Sequence, residues 1–290
     1  MTAPLEGQAG YDALTTAAGA VRLDRDIVRV GGPEAVDFLQ GQMTQDISAL
    51  AVGASSWSLV LQPQGKVDAW VRVTRAADDE VLLDLDGGFG DALVARLQRF
   101  KLRVKADIDR LAWECVAVRG PGAVPPGIPF AWGCLTGFDV LGPDPALPDG
   151  VPEVAAAVYE VCRIEAGLPR MGAELTDKTI PAEVGLVGVS VSFTKGCYTG
   201  QELVARIDSR GGHVPRHLRR LVLESGDVPD AGASIETDGR VVGTVTSAAR
   251  HPAGHIVGLG LLGRDVTPPT TAMCGGVVVI IDALAAMPSA

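Results

Sequence analysis

The chain has 290 residues, 47% of them hydrophobic, with 36 glycines and 19 prolines. That is enough for a substantial core in one large domain or two linked ones. A formal net charge of −10 excludes a general nucleic-acid binder, because neutralising phosphates needs clustered Lys and Arg. The start, residues 1–10, lacks a basic segment followed by an apolar one. The apolar run from Gly275 to Ala286 is interrupted by Asp282 and too short for a bilayer. Neither export nor a membrane partner is expected, and the cytoplasm is the default location.

The predicted elements alternate strand and helix at first. Ile27 to Val30 reads as a strand, and Gly32-Pro33-Glu34 as the entry to a helix over Ala35 to Gln40 that Gly41 stops. Ser56 to Gln62 and Lys66 to Thr74 form a hairpin around Pro63-Gln64-Gly65. Strict alternation puts Val67, Ala69, Val71 and Val73 on one face and Asp68, Trp70, Arg72 and Thr74 on the other. Glu80 to Asp86 is a strand, and Asp91 to Phe100 a helix with Leu93, Leu97 and Phe100 at helical spacing. Leu102 to Ile108 and Ala112 to Val118 are further strands. The mixture points to an α+β fold containing a split β-α-β element. From Arg119 to Pro152 the density of Gly and Pro predicts turns and an extended connector. Val154 to Ala166 is a helix ending at Gly167. Beyond it, short strand-like runs at Leu218–Leu223, Ala233–Thr237, Arg240–Ala249, His255–Leu262 and Val277–Asp282 predict a small β-barrel or sandwich, with a hairpin turn at Asp238-Gly239. The expected division is residues 1–215 and 216–290.

Five cysteines, Cys115, Cys134, Cys162, Cys197 and Cys274, are too dispersed and odd in number for a disulfide framework. No C-x-x-C occurs, so no metal-ligating set of the chain's own is expected, and cluster chemistry would concern a partner's metal or a shared cluster. The segment most informative for chemistry is Lys195-Gly196-Cys197-Tyr198-Thr199-Gly200-Gln201-Glu202. Thr199 and Glu202 match a capping box, placing a helix start just after Cys197. The helix dipole and Lys195 would then both favour the Cys197 thiolate, with Lys195 as activator. A buried structural thiol is the bland alternative. His213 and His217 follow in sequence, but sequence alone establishes no Cys–His pair. Cys162 and Cys274 fall within apolar elements and read as structural.

The octapeptide KGCYTGQE resembles the signature of the YgfZ-type folate-binding proteins, relatives of the glycine-cleavage T-protein. The resemblance extends along nearly the whole chain in order. It includes Phe38-Leu39-Gln40-Gly41-Gln42-Met43-Thr44-Gln45-Asp46, the Pro63-Gln64-Gly65-Lys66 turn, Arg163-Ile164-Glu165-Ala166-Gly167-Leu168-Pro169, Pro181-Ala182-Glu183, and Gly243-Thr244-Val245-Thr246-Ser247. It implies a T-protein-like pseudo-ring of subdomains around a central folate cavity, with a C-terminal small β-barrel.

By the same resemblance the cofactor is tetrahydrofolate or a derivative. Glu165 is the expected contact for the pterin's donor edge, since a carboxylate accepts two directional hydrogen bonds there. Arg206, Gln201 and Tyr198 are further candidate folate contacts. Aminomethyltransferases of the family carry Gly-Gly-x-x-Asp-Asp after the early hairpin. Here Ala69 and Trp70 stand at the acidic positions, and Asp68, one residue early, is the only surrogate. The implied function is a folate-dependent accessory factor in the assembly, maintenance or repair of iron–sulfur enzymes, with Cys197 as its functional thiol and client enzymes or assembly factors as partners. A folate-dependent aminomethyltransferase or demethylase, and a non-catalytic folate-binding scaffold, are the alternatives.

Overall fold

A computed structural model describes residues 3–284. Its strands form three antiparallel sheets. The first has five strands in the order Ser55–Leu61, Val67–Ala77, Glu80–Asp86, Arg25–Gly31, Asp107–Leu111. Glu80–Asp86 and Asp107–Leu111 both run antiparallel to the Arg25–Gly31 strand between them. With the helix Gly90–Phe100 joining them, they make the expected split β-α-β element. The second sheet has four strands, in the order Gly19–Leu23, Glu114–Arg119, Leu135–Gly142, Ile128–Trp132. The third is a closed six-stranded barrel that begins at Arg216 and closes when Val277–Asp282 pairs with Arg216–Leu223. Its interior is filled by branched side chains such as Leu221, Ile235, Val245, Ile256 and Ile281. At its Asp238-Gly239 turn both residues have positive φ, 51° and 72°, the geometry of a tight two-residue hairpin. No helix among the described residues is long and apolar enough to cross a membrane.

Several elements differ from the sequence reading. The expected connector over 119–152 contains the strands Ile128–Trp132 and Leu135–Gly142. Pro129 is compatible with this because its strand is the sheet's edge, where a missing N–H leaves no ladder bond broken. A helix at Gly7–Thr16 carries no strong propensity signal and is held by tertiary packing of Ala13 and Leu14. The expected strand over 102–108 is instead Asp107–Leu111.

Gly41 does not stop its helix, which runs from Ala35 to Gln42. The strict alternation on the early hairpin is broken by a β-bulge: Val60 pairs with Ala69 and Leu61 with Val67, leaving Asp68 as the extra residue. Val67 therefore joins Trp70 in one core cluster, while Ala69, Val71 and Val73 pack in another.

Candidate functional site

A cavity of about 490 Å³ lies between the five-stranded sheet, the four-stranded sheet and the helix Ala156–Glu165. That volume is within the range of small-molecule sites. The strands supply its wall by alternation: Arg25 and Trp70 come from the first sheet, and Arg119, Phe130 and Asp139 from the second. Tyr159, Glu160 and Arg163 come from one face of the helix. The barrel contributes none of the lining residues.

One wall is aromatic. Trp57 and Trp70 stack with ring centroids 4.2 Å apart at 20°, and Phe130 and Trp132 meet Trp57 edge-on. The Trp70 indole N–H donates to Ser190 Oγ at 3.1 Å, which fixes the ring plane.

Behind this wall is a buried ionic network. Arg72 grips Asp84 through two hydrogen bonds of 2.9 and 3.1 Å and donates to Asp139 at 2.6 Å. Arg119 pairs with Asp139 at 2.7 Å and lies 3.8 Å over the Phe130 ring. Arg25 pairs with Asp84 and Asp86. Arg119 Nε is buried without a partner among the described residues. Most acidic groups of the lining are engaged: Asp86 also accepts from the Met171 N–H, and Glu160 is held bidentately by Arg163 at 2.8 Å.

Asp24 differs. Asp24 lines the cavity as an exposed residue, and its carboxylate has no side-chain hydrogen bond or ion pair among the described residues. It lies so close over Gly87 that a Cβ there would overlap it.

Glu165 is not part of this lining. It sits on another face of the helix from Tyr159, Glu160 and Arg163, and its Oε2 accepts from Tyr11 Oη at 2.8 Å. The structure therefore does not bring Glu165 into the lining of this cavity, where the resemblance led us to expect it. Cys197, Lys195, Tyr198, Gln201 and Arg206 also lie outside the lining. They belong to a separate junction where three of the sequence motifs meet.

At that junction Lys195 is buried and donates its three ammonium hydrogens to Gln40 O, Met43 O and Gln45 O at 2.5, 2.6 and 3.0 Å. These carbonyls lie at and just beyond the end of the Ala35–Gln42 helix, so the ammonium caps it and complements its dipole. Burial pushes this amine down to about 8, with Asp46 opposing, and it remains protonated at neutral pH. The ammonium also lies 5.3 Å from the Tyr198 ring.

Gly200 (φ +83°) and Gly65 (φ +73°) interlock beside it. A Cβ on Gly200 would come 2.6 Å from Gln62 O, and one on Gly65 would come 2.6 Å from Leu203 Cβ. Those clashes require glycine in both motifs.

Two parts of the thiol argument fail against this geometry. The helix is Gln201–Ser209 with Gly200 as N-cap and no side-chain cap bond. Thr199 and Glu202 thus form no capping box, and Cys197 precedes the helix by a turn of chain. Lys195 is committed to carbonyls rather than to the thiol. What stands is that Cys197 is exposed, as is Cys134, whereas Cys115, Cys162 and Cys274 are buried. Burial, with Glu165 adding to it, pushes the Cys162 thiol up to about 12, consistent with an inert thiol. Arg206 is exposed and lies outside the cavity lining.

The sequence reading missed Asp24 and Trp57, which carry no motif. It also missed Glu174, a buried carboxylate that accepts from Thr246 and Ser247 of the barrel at 2.7 and 2.6 Å and pairs with Arg163 at 3.2 Å. Gly243-Thr244-Val245-Thr246-Ser247 thus docks the barrel onto the region beside the cavity.

No protein-family model matches the chain. It is 29% identical over 230 residues to an uncharacterised protein of Haemophilus influenzae, covering 77% of this chain and 81% of that one. It is 27% identical over 288 residues to the tRNA-modifying protein YgfZ of Klebsiella pneumoniae, covering 84% and 85%. It is 26% identical over 261 residues to a mitochondrial iron–sulfur cluster assembly factor IBA57 homolog of Chaetomium globosum, covering 75% and 59%. Among solved structures, the glycine cleavage system aminomethyltransferase T of Bartonella henselae superposes with a TM-score of 0.83 at 22% identity, over 98% of this chain and 90% of that one. The fold is the same.

Proposed function

Because the chain is a YgfZ-type protein of the glycine-cleavage T-protein superfamily, we propose that its central cavity takes a reduced folate and that it serves iron–sulfur enzymes as an accessory factor. The observation that carries the folate reading is the uncommitted Asp24 carboxylate in a cavity with an aromatic wall. A pterin presents neighbouring N–H donors that a carboxylate accepts as a pair, and its flat ring suits the stacked Trp57 and Trp70. The unpartnered Arg119 Nε is a buried donor awaiting an acceptor. Arg22 and Arg170, about half exposed and paired with Glu114 and Glu160 at 3.1 and 3.4 Å, could exchange those partners for the carboxylates of a glutamate tail. In this reading these groups bind and orient the ligand.

Aminomethyl transfer is not favoured. Trp70, at one of the two acidic positions of the transferases, lines the cavity with an indole. Asp68 sits on the bulge, paired with Arg96 at 3.1 Å, and is absent from the lining. The relatives' names supply the iron–sulfur and tRNA-modification contexts. An acidic chain reconciles the two if an iron–sulfur client enzyme, and not this protein, contacts the RNA.

Calorimetric titration with tetrahydrofolate tests the cavity. Wild type should bind saturably. Asp24→Asn should weaken binding about tenfold to a hundredfold, the worth of hydrogen bonds to a charged group, while Glu165→Ala should bind like wild type. Absence of binding by folded wild type would end the folate reading. Loss in Glu165→Ala alone would move the site.

For the thiol, Cys197→Ala should fold with an unchanged melting temperature, retain tetrahydrofolate binding and fail to restore iron–sulfur enzyme activity in a strain lacking the protein. Full restoration would leave a non-catalytic scaffold as the better reading.

A further inference from the structure

We propose that the loop after the Gly90–Phe100 helix docks on an anionic phospholipid surface, with cations at the headgroups and the Leu102 and Phe100 side chains inserted. This goes beyond the folate and iron–sulfur reading and does not depend on it. Arg96, Arg99, Lys101, Arg103 and Lys105 fall within ten residues that contain no acid, in a chain of net charge −10. The sum over the whole chain hides such a cluster. A surface responds to charges within about one Debye length, ~8 Å at physiological salt.

The loop carries apolar tips among these cations. Leu102 is 80% exposed, more than any other large apolar side chain among the described residues. Phe100, which helical spacing grouped with Leu93 and Leu97, is 39% exposed. The Lys101 N–H donates to Gln98 O at 3.2 Å and the Leu102 N–H to Phe100 O at 3.0 Å. Arg103 follows in the left-handed region, at φ +58°, uncommon for a residue other than glycine. The chain thus turns sharply at the helix end and leaves Leu102 outside the core, which Val104 and Ala106 rejoin.

Most of the cations lack partners. Arg96 pairs with Asp68 at 3.1 Å, and its guanidinium lies 3.8 Å over the Phe100 ring. Arg99, Lys101, Arg103 and Lys105 make no ion pair or side-chain hydrogen bond among the described residues. Glu34, which borders the loop, accepts from the Lys105 backbone N–H at 2.8 Å. Acids resume at Asp107, in the next strand. The helix dipole accounts for a cation or two at its last turn. It does not account for Arg103 or Lys105, nor for an exposed leucine among them.

The composition of the loop selects the partner. Nucleic acid would use the cations but gains little from an aliphatic tip. A stable protein interface buries about 800 Å² on each side around an apolar centre, and two apolar side chains on one loop supply too little. A membrane needs only what the loop has. Each cation near anionic headgroups is worth roughly fivefold in affinity, and apolar side chains enter the acyl boundary. This is a surface contact and requires no spanning helix.

The test is co-sedimentation of the full chain with vesicles of phosphatidylcholine containing about one quarter phosphatidylglycerol, against phosphatidylcholine alone. At about 0.1 M salt the protein should sediment with the anionic vesicles only, and binding should fall steeply towards about 1 M. Lys101→Gln/Arg103→Gln should weaken binding roughly twenty-fivefold, about fivefold for each cation. Leu102→Ser should weaken it about tenfold, through the lost transfer of an apolar side chain, with the salt dependence kept. An unchanged melting temperature shows that both variants fold. No binding to anionic vesicles, or wild-type binding in Lys101→Gln/Arg103→Gln, overturns the surface. Wild-type binding in Leu102→Ser overturns insertion and leaves a nonspecific attraction. Salt-sensitive binding to polyuridylate in place of vesicles assigns the loop to nucleic acid and overturns the membrane. Tetrahydrofolate titration of both variants is expected to match wild type, which separates a failure here from a failure of the cavity.

Discussion

Asp139→Ala is expected to destabilise the protein by about 3–5 kcal/mol, because it leaves two buried guanidinium groups without their shared counter-charge. Arg72 and Arg119 are 2% and 0% exposed, and both meet Asp139, itself 4% exposed. Arg72 keeps Asp84, but Arg119 retains no carboxylate among the described residues, only the Val118 and Phe138 carbonyls, each at 3.1 Å, and the neighbouring Phe130 and Tyr159 side chains.

At roughly 2–4 °C per kcal/mol for a chain approaching this size, the melting temperature should fall by about 10 °C. Urea denaturation should show a lower midpoint with little change of slope. A loss under about 1 kcal/mol would mean that water reaches the guanidiniums and the network is not closed.

The pH dependence follows from the same pair. Burial alone would push the Asp139 carboxyl up, but Arg119, Arg72 and Arg25 outweigh it and hold it below the ordinary carboxylate range. A group with a depressed folded pKa contributes its stability in full above its unfolded value, near 3.9, and loses it as pH falls through the folded value. The gap between wild type and Asp139→Ala should therefore be constant near neutrality and shrink below about pH 4.

What the sequence made legible, and what it did not, divides along physical lines. Periodicity located the hairpin, the split β-α-β element and the barrel strands, because each buries one face and leaves an alternating or helical pattern. It failed where tertiary contact overrode local signal. The Pro-rich segment around Pro129 became an edge strand, and the Gly41 helix ran on because a distant ammonium ends it. The Asp68 bulge broke the alternation, and a bulge leaves no trace in a hydrophobic pattern.

Three of the motifs, separate in sequence, meet at one place in the fold. FLQGQ, the P-x-G-K turn and KGCYTGQE are brought together by Lys195 and by the facing Gly65 and Gly200. They read as a single structural junction, with only Cys197 exposed upon it for chemistry. The residues that fit a ligand in the cavity, Asp24 and Trp57, stand in ordinary strands and loops. Only their convergence in space distinguishes them.

That reassignment makes Lys195→Met the sharpest test of the junction. Met has a similar length and keeps the space filled, so water does not readily replace the lost donors. Three carbonyls, Gln40 O, Met43 O and Gln45 O, then lose the ammonium that now serves them. Uncompensated acceptors near a helix end cost about 1–3 kcal/mol each where water cannot reach them. Local rearrangement reduces the sum, and a total of about 2–4 kcal/mol is expected. Hydrogen exchange should quicken in the Ala35–Gln42 helix before it does in the barrel, since only the former loses its cap.

The two roles for Lys195 separate cleanly in the alkylation rate of the exposed Cys197. An activating ammonium would raise the thiolate fraction, and its removal would slow alkylation in a protein of unchanged stability. A capping ammonium predicts the reverse: a lower melting temperature, with the alkylation rate of the folded protein within about twofold of wild type. Slower alkylation at unchanged stability would return Lys195 to the chemistry of the thiol and remove it from the architecture of the junction.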